Sequence, residues 1–302
     1  MDRNQLKDMI QGTPAPIPTP FDNDYKLDLS RMSDMTQWWV EQGLGTKTTA
    51  FKVASAVGSG PDLSDDEWPH LLRTVVNSAG PDATVLCALK SKDTMHTIED
   101  AKKAQDLGAV GLQIDLPFFH HMDQDGNIRH FSAISDAIDI GIMIYNTWWF
   151  CFSPENEYVT AETMLRMKDL ERLVAIKWSV PPGEDFHEMS KFSNIFNVID
   201  NYGDYVGTFK NGGHGYISEF VCAYPKYDIE LLQLLKSGNY DRAEKMITRT
   251  KEVFDRAGTR SSRILLEAMG HPMGKPRLPS LAPSESQVKA AKEALLELGW
   301  II

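Results

Sequence analysis

Two short apolar runs each end in a residue suited to carbonyl chemistry: Ile140-Gly-Ile-Met-Ile-Tyr145-Asn146 and, one unit later, Leu173-Val-Ala-Ile-Lys177. Both read as buried strands. A lysine at the end of a wholly apolar strand either costs several kcal/mol or has its pKa lowered by desolvation, which frees its amine as a nucleophile. The 32 residues from Tyr145 to Lys177 match one strand-plus-helix unit of an eightfold barrel, in which about 250 residues share eight units of about 31. The spacing therefore predicts an α/β protein, a (β/α)8 barrel, with tyrosine and lysine side by side on neighbouring strands.

Strand-like and helix-like runs alternate through most of the chain, the pattern of a parallel sheet with crossover helices. Pro14–Pro20, Thr48–Ala54, Ala83–Leu89 and Val110–Leu116 read as the first four strands. The two runs above are the fifth and sixth, and Asn197–Asp200 and Gly215–Ser218 complete eight. Helices are expected over Leu29–Gln42, from Ser64 to about Asn77, and over Thr94–Leu107. Ser64 with Glu67 three residues on is a capping box. From Tyr227 the chain reads as helices over Asp228–Lys236, Tyr240–Ala257 and Ser284–Leu298. With no long Gly, Ser or Pro linker, the expected organisation is one unit, a barrel core over 1–226 with C-terminal helices over 227–302 packed on it.

Composition narrows the partners. A formal net charge of −11 and the absence of any basic run argue against nucleic acid. Cys87, Cys151 and Cys222 are odd in number and widely spaced, which suits neither a disulfide framework nor a metal site. No apolar run of 18 residues or signal-like N-terminus is present, so the expectation is a cytoplasmic protein without a membrane partner.

The order of landmarks resembles the dihydrodipicolinate synthase/N-acetylneuraminate lyase family of Schiff-base-forming class I aldolases. The resemblance begins at Pro18-Thr-Pro-Phe-Asp22 and continues through Leu63-Ser-Asp-Asp-Glu67, Gly108-Ala109, Tyr145-Asn146 and Ile176-Lys177. It ends with Gly212-Gly-His-Gly-Tyr-Ile-Ser218 and Gly270-His-Pro-Met-Gly-Lys-Pro-Arg-Leu-Pro279. What it implies is a lyase in which Lys177 forms an imine with a 2-oxo acid such as pyruvate, Tyr145 relays protons, and no metal or organic cofactor is needed. It also implies a homo-oligomer, dimer or tetramer. Taken alone, Lys177 reads equally as a snorkelling rim lysine and Tyr145 as a core tyrosine.

The departures matter as much as the matches. Where the family carries G-T-T-G-E after the second strand, this chain has Ser55-Ala-Val-Gly-Ser59, so Ser55, Gly58, Ser59 or backbone N–H groups are left to hold a substrate carboxylate. The family's P-Y-Y is Pro117-Phe118-Phe119, and the arginine that reads a second carboxylate falls at Phe150. Dihydrodipicolinate synthesis itself is therefore not expected.

Aromatic residues stand in their place. Asn146, Trp148 and Trp149 follow Tyr145, and Trp178 follows Lys177, which points to an apolar or aromatic substrate body, with loop packing or a subunit interface as the plain alternative. Gly213 and His214 are expected at the site's mouth, where His214 either orients substrate or is an ordinary loop histidine. Lys52, Lys90 and Lys92 are candidate sources of positive charge. The leading reading is an aldolase or hydratase-aldolase acting on a small carbonyl substrate, with a 2-oxo sugar-acid dehydratase using the same imine as an alternative. Two others stay open: a phosphate-binding barrel enzyme using the loop at Gly212-Gly213, and a non-catalytic metabolite-binding barrel.

Overall fold

The computed structural model describes residues 1–120, 122–150, 158–258 and 261–300, so Cys151 lies outside the described residues. Eight parallel strands run in chain order: β1 (Ala15–Pro16), β2 (Phe51–Val53), β3 (Val85–Leu89), β4 (Gly111–Asp115), β5 (Gly141–Tyr145), β6 (Leu173–Trp178), β7 (Asn197–Asp200) and β8 (Gly215–Tyr216). A parallel bridge between Gly12 and Gly215 joins the segment before β1 to β8 and closes the sheet. The Gly12 N–H donates to His214 O, and the Tyr216 N–H to Gly12 O, each at 2.9 Å. A Cβ on Gly215 would lie 1.8 Å from Gly12 O, so only glycine lets the two backbones meet there.

The strands bury both faces, as a helix-covered parallel sheet must. Val85, Cys87 and Leu89 of β3 belong to the large core shared with the helices, while Leu86 turns inward to a second cluster with Leu6, Ile10, Ala50, Met143, Ala175 and Ile199. That inner cluster is the barrel's floor. Its lid at the amino ends of the strands is α1 (Arg3–Met9), whose cap Ile10 lies so near that a Cβ on Gly111 or Gly141 would come within 2.4 or 2.5 Å of its Cδ1. Asn197 Nδ2 fixes the lid by donating to Lys7 O and Ile10 O.

The outer helices are α2 (Leu29–Glu41), α3 (Glu67–Ala79), α4 (Thr94–Asp106), α5 (Gln124–Ala137), α6 (Ala161–Arg166) and α7 (Tyr205–Lys210), with a 3-10 turn over Phe186–Lys191 before β7. Short polar caps start them: the Asp93, Asp123, Thr160 and Asp204 side chains each accept a first-turn N–H. Ser64 and Glu67 make both reciprocal bonds of the capping box, although regular helix begins only at Glu67. After β8 come α8 (Phe220–Ala223), α9 (Pro225–Lys236), α10 (Tyr240–Ala257), α11 (Ser262–Ala268) and α12 (Glu285–Glu297). Trp300 packs among Phe220, Tyr224 and Tyr227. Arg277 ties the tail to the barrel, donating to Glu67 Oε2 at 2.7 Å and Oε1 at 2.5 Å and to Asp62 O at 2.7 Å. Among the described residues no helix is long and apolar enough to cross a membrane.

Candidate active site

Register decides which side chains meet. Asp115 of β4 pairs with Tyr145 of β5, Tyr145 with Lys177 of β6, and Lys177 with Ile199 of β7. Registered partners on parallel strands point to the same face. Met143 and Ala175, two positions before Tyr145 and Lys177, lie in the inner floor cluster, so Asp115, Tyr145 and Lys177 stand inside the barrel at the carboxyl ends of three successive strands. That is the end where barrel enzymes do their chemistry. Lys177 and Tyr145 are only 7% and 6% exposed, and Lys177 Nζ sits 3.5 Å from the centroid of the Tyr145 ring.

The electrostatics follow from this crowding. Burial first, and then the charge of Lys52, lower the Lys177 pKa well below the ordinary lysine value, against the pull of Asp115 and Glu219. Lys52, buried on β2 two residues after Ala50, is itself lowered to about 8 by burial. Asp115 is pushed up to about 7 by burial, against Lys177, Lys52 and a hydrogen bond from Gln113. Burial and the Asp115 charge push the Tyr145 phenol up, opposed by a hydrogen bond with Asn201. Gln113 is buried inside the same barrel, and its Oε1 has no hydrogen-bond partner among the described residues.

The loop over Ser55, Gly58 and Ser59 leaves the carboxyl end of β2, at the same end of the barrel as Lys177. It is a tight 3-10 turn packed on the segment after β1: Thr19 donates to Gly58 O through both N–H and Oγ1, and a Cβ on Gly58 would meet Ile17 O at 2.5 Å. Ser55 is buried, and its Oγ has no hydrogen-bond partner among the described residues. Trp149, 44% exposed, reaches back to the Tyr145 ring at 6.4 Å, and half-buried Trp148 packs on Trp149 at 5.6 Å.

Four residues expected at the site lie elsewhere. Trp178 follows Lys177, so the alternation of the strand turns it outward: it is buried against Tyr158 and Phe192 and donates from Nε1 to Phe186 O. Asn146 is likewise buried, its Nδ2 donating to Val159 O and Ser179 O and its Oδ1 accepting the Val159 N–H, so it braces the loop instead of facing substrate. Gly213 and His214 precede β8 and therefore sit at the amino end of the barrel, away from Lys177. There His214 lies against Val198 N, near Lys7 and Lys236, and burial lowers it to about 4. The Gly212-Gly213 loop of the phosphate reading lies at that same end. Lys90 and Lys92 are also spoken for: Lys90 donates to Leu63 O, and Lys92 pairs with Asp65 at 3.1 Å and Asp100 at 2.8 Å.

Asp115, Gln113, Glu219 and Asn201 join the site without having been picked out from the sequence. The signal was present in Val110-Gly-Leu-Gln-Ile-Asp-Leu116, where polar residues fall on alternate positions of an otherwise apolar strand and so share one face.

A closed parallel barrel with a desolvated lysine against a tyrosine at its strand ends defines a class, the barrel lyases of the class I aldolase type. The chain belongs to the dihydrodipicolinate synthetase family, whose model matches residues 9–298. It is similar to a 4-hydroxy-tetrahydrodipicolinate synthase of Caldicellulosiruptor bescii, 26% identical over 96% of this chain and 98% of that one. A synthase of the same name from Halalkalibacterium halodurans is 30% identical over 86% of this chain and 88% of its own. Among solved structures, a dihydrodipicolinate synthase from Thermotoga maritima superposes with a TM-score of 0.82 at 26% identity, covering 97% of this chain and 100% of that one.

Proposed function

We propose that this lyase joins the Lys177 amine to the carbonyl carbon of a 2-oxo acid, or a related carbonyl compound, and uses the resulting Schiff base for aldol cleavage or condensation or for hydratase-aldolase chemistry. The observation that carries the reading is the Lys177 amine itself, buried, lowered in pKa and held against the Tyr145 ring. The lowered pKa makes the neutral amine more available, and this form attacks the carbonyl carbon; the carbinolamine then loses its hydroxyl as water once Tyr145 hands it a proton, and the nitrogen becomes an iminium. The iminium draws off the electron pair released when the bond beyond the α-carbon breaks, giving an enamine. Tyr145, its pKa pushed up, stays protonated and so begins as the donor.

Two further features support the substrate class. The Ala56 and Val57 N–H groups head the 3-10 turn after β2, where it is Gly58 and Ser59 that bond back to Ser55 and Ala56. With the unpartnered Ser55 hydroxyl they supply donors for a substrate carboxylate without threonine side chains. Beyond Tyr145, rings continue outward through Trp149 to Phe150 and Phe118, at centroid steps of 6.4, 6.0 and 5.7 Å. Phe150 stands where a carboxylate-reading arginine would be, so an apolar or aromatic body fits this border better than a second acid group.

The test is intact-mass analysis after borohydride treatment with pyruvate, 2-oxobutanoate, phenylpyruvate and aldehydes, on the parent and Lys177→Ala. The expected result is a reduced adduct in the parent and none in the variant. No adduct with any carbonyl compound would sink the imine.

A further inference from the structure

We propose that Asp115 is the proton reservoir of the site, taking up through Tyr145 the proton lost when the Lys177 imine becomes an enamine. The inference rests on the imine reading and goes beyond it. Its ground is placement: Asp115, Tyr145 and Lys177 are consecutive register partners on β4, β5 and β6, all facing the barrel interior.

The phenolate left when Tyr145 protonates the departing hydroxyl regains a proton from water at neutral pH, because its pKa is pushed up; the phenol so restored cannot keep an incoming proton and can only receive one at its oxygen while passing its own on. The next group must therefore be an acceptor. The loop after β2 offers Ala56, Val57 and the hydroxyls of Ser55 and Ser59, and the loop after β4 opens with Pro117 and Phe118; an alcohol can pass a proton on but, like the phenol, cannot keep an extra one at neutral pH. Among the described residues the charged groups facing this space are Lys52 of β2, Lys177 of β6 and Glu219 beyond β8, with Cys222 beside Lys52 and Gln113 beside Asp115. Glu219 Oε2 accepts the Ser262 N–H, which ties it to α11. Asp115 is the carboxylate next to Tyr145. It is only partly buried at its surface, and desolvation pushes it up to about 7, where it exchanges protons readily at neutral pH.

The step balances without a further reactant. The C3–H bond of the iminium breaks, its electron pair forms the C2–C3 double bond and quenches the iminium charge, and its proton goes to the Tyr145 oxygen. The Tyr145 proton moves at the same time to the Asp115 carboxylate, which becomes a neutral acid. Reversal returns a proton to C3.

Exchange of the C3 protons of a 2-oxo acid in deuterated water reads this step without a second substrate. The measurement is proton NMR at saturating pyruvate, or 2-oxobutanoate if that traps better, between about pH 5 and pH 9, on the parent, Asp115→Asn and Asp115→Glu, beside borohydride trapping of each. In the parent the exchange rate should rise with pH through about 7, as Asp115 ionises. Asp115→Asn should keep the Lys177 adduct, lose about 100-fold or more in exchange and lose that rising limb. Asp115→Glu should recover part of the rate with a limb of its own. Exchange in Asp115→Asn within about threefold of the parent, with the limb intact, would overturn the assignment. So would loss of the adduct together with the exchange, which would place Asp115 in imine formation. Absence of an adduct in the parent would instead overturn the imine reading beneath it.

Discussion

Lys177 Nζ lies 3.5 Å from the centroid of the Tyr145 ring, and the two residues are direct register partners on β5 and β6. The ring thus serves both as apolar cover for the amine and as the carrier of the nearest phenol. These roles separate in Tyr145→Phe. The adduct with a 2-oxo acid should still form, because the amine keeps its cover, but its rate of formation in timed borohydride trapping should fall about 100-fold. A variant that traps at the parental rate would remove Tyr145 from the proton transfers.

Lys52 offers a second handle. It is 1% exposed, and its charge is the next cause after burial of the lowered Lys177 pKa. Lys52→Met keeps an unbranched side chain, one atom shorter, and removes the charge. The Lys177 pKa should then rise, leaving less neutral amine at any given pH, so the pH at which trapping reaches half its maximum should move in the alkaline direction. An unshifted profile would show that the two lysines do not sense each other.

Much of this arrangement could be read from the chain, and what could not has a definite cause. The β7 span over Asn197–Asp200 and the helix over Tyr240–Ala257 fall where the pattern placed them, because apolar periodicity and terminal Gly258 mark them plainly. The Trp178 expectation failed on parity: an aromatic directly after an inward lysine must face outward. His214 failed on polarity, since residues before a parallel strand lie at the opposite end from residues after it. Asp115 is not legible from its own strand, because its neighbour across the sheet is fixed only once β4 is set in register beside β5. The short helix α11 went unread too; it buries Arg263, whose guanidinium bonds to Thr19 O and Met273 O, a tertiary contact that no local pattern announces.

Trp149 tests the aromatic border. It touches both Tyr145 and Phe150 while remaining 44% exposed, so its replacement leaves the core intact. Ring contacts of this kind contribute about 0.5–1.5 kcal/mol. In Trp149→Ala the phenylpyruvate concentration giving half-maximal trapping should rise about 3- to 10-fold, while that for pyruvate stays within about twofold. Equal changes for both compounds would mean that the ring shapes the loop and does not contact the substrate body.

Asp228 gives the fold a pH signature separate from catalysis. It is buried under β8, where Tyr216 Oη donates to its Oδ1 at 3.0 Å and Ser218 Oγ to its Oδ2 at 3.3 Å. Both bonds favour the anion, yet burial outweighs them and pushes the carboxyl up to about 7. A carboxyl whose folded pKa lies above its unfolded value holds its proton longer in the folded state, so it lowers stability progressively as pH rises from about 4 to 7. Asp200, raised to about 6, acts in the same direction, while His130 and His214, both lowered to about 4, cost stability as pH falls from about 6.5 toward 4. The parent curve mixes these contributions, and the difference between the parent and Asp228→Asn isolates one of them. In urea unfolding, Asp228→Asn should therefore gain on the parent steadily from pH 4 to pH 8, whatever its stability at pH 4. Parallel curves across that range would show that Asp228 ionises as an ordinary carboxylate, its two hydroxyl donors having made up for its burial.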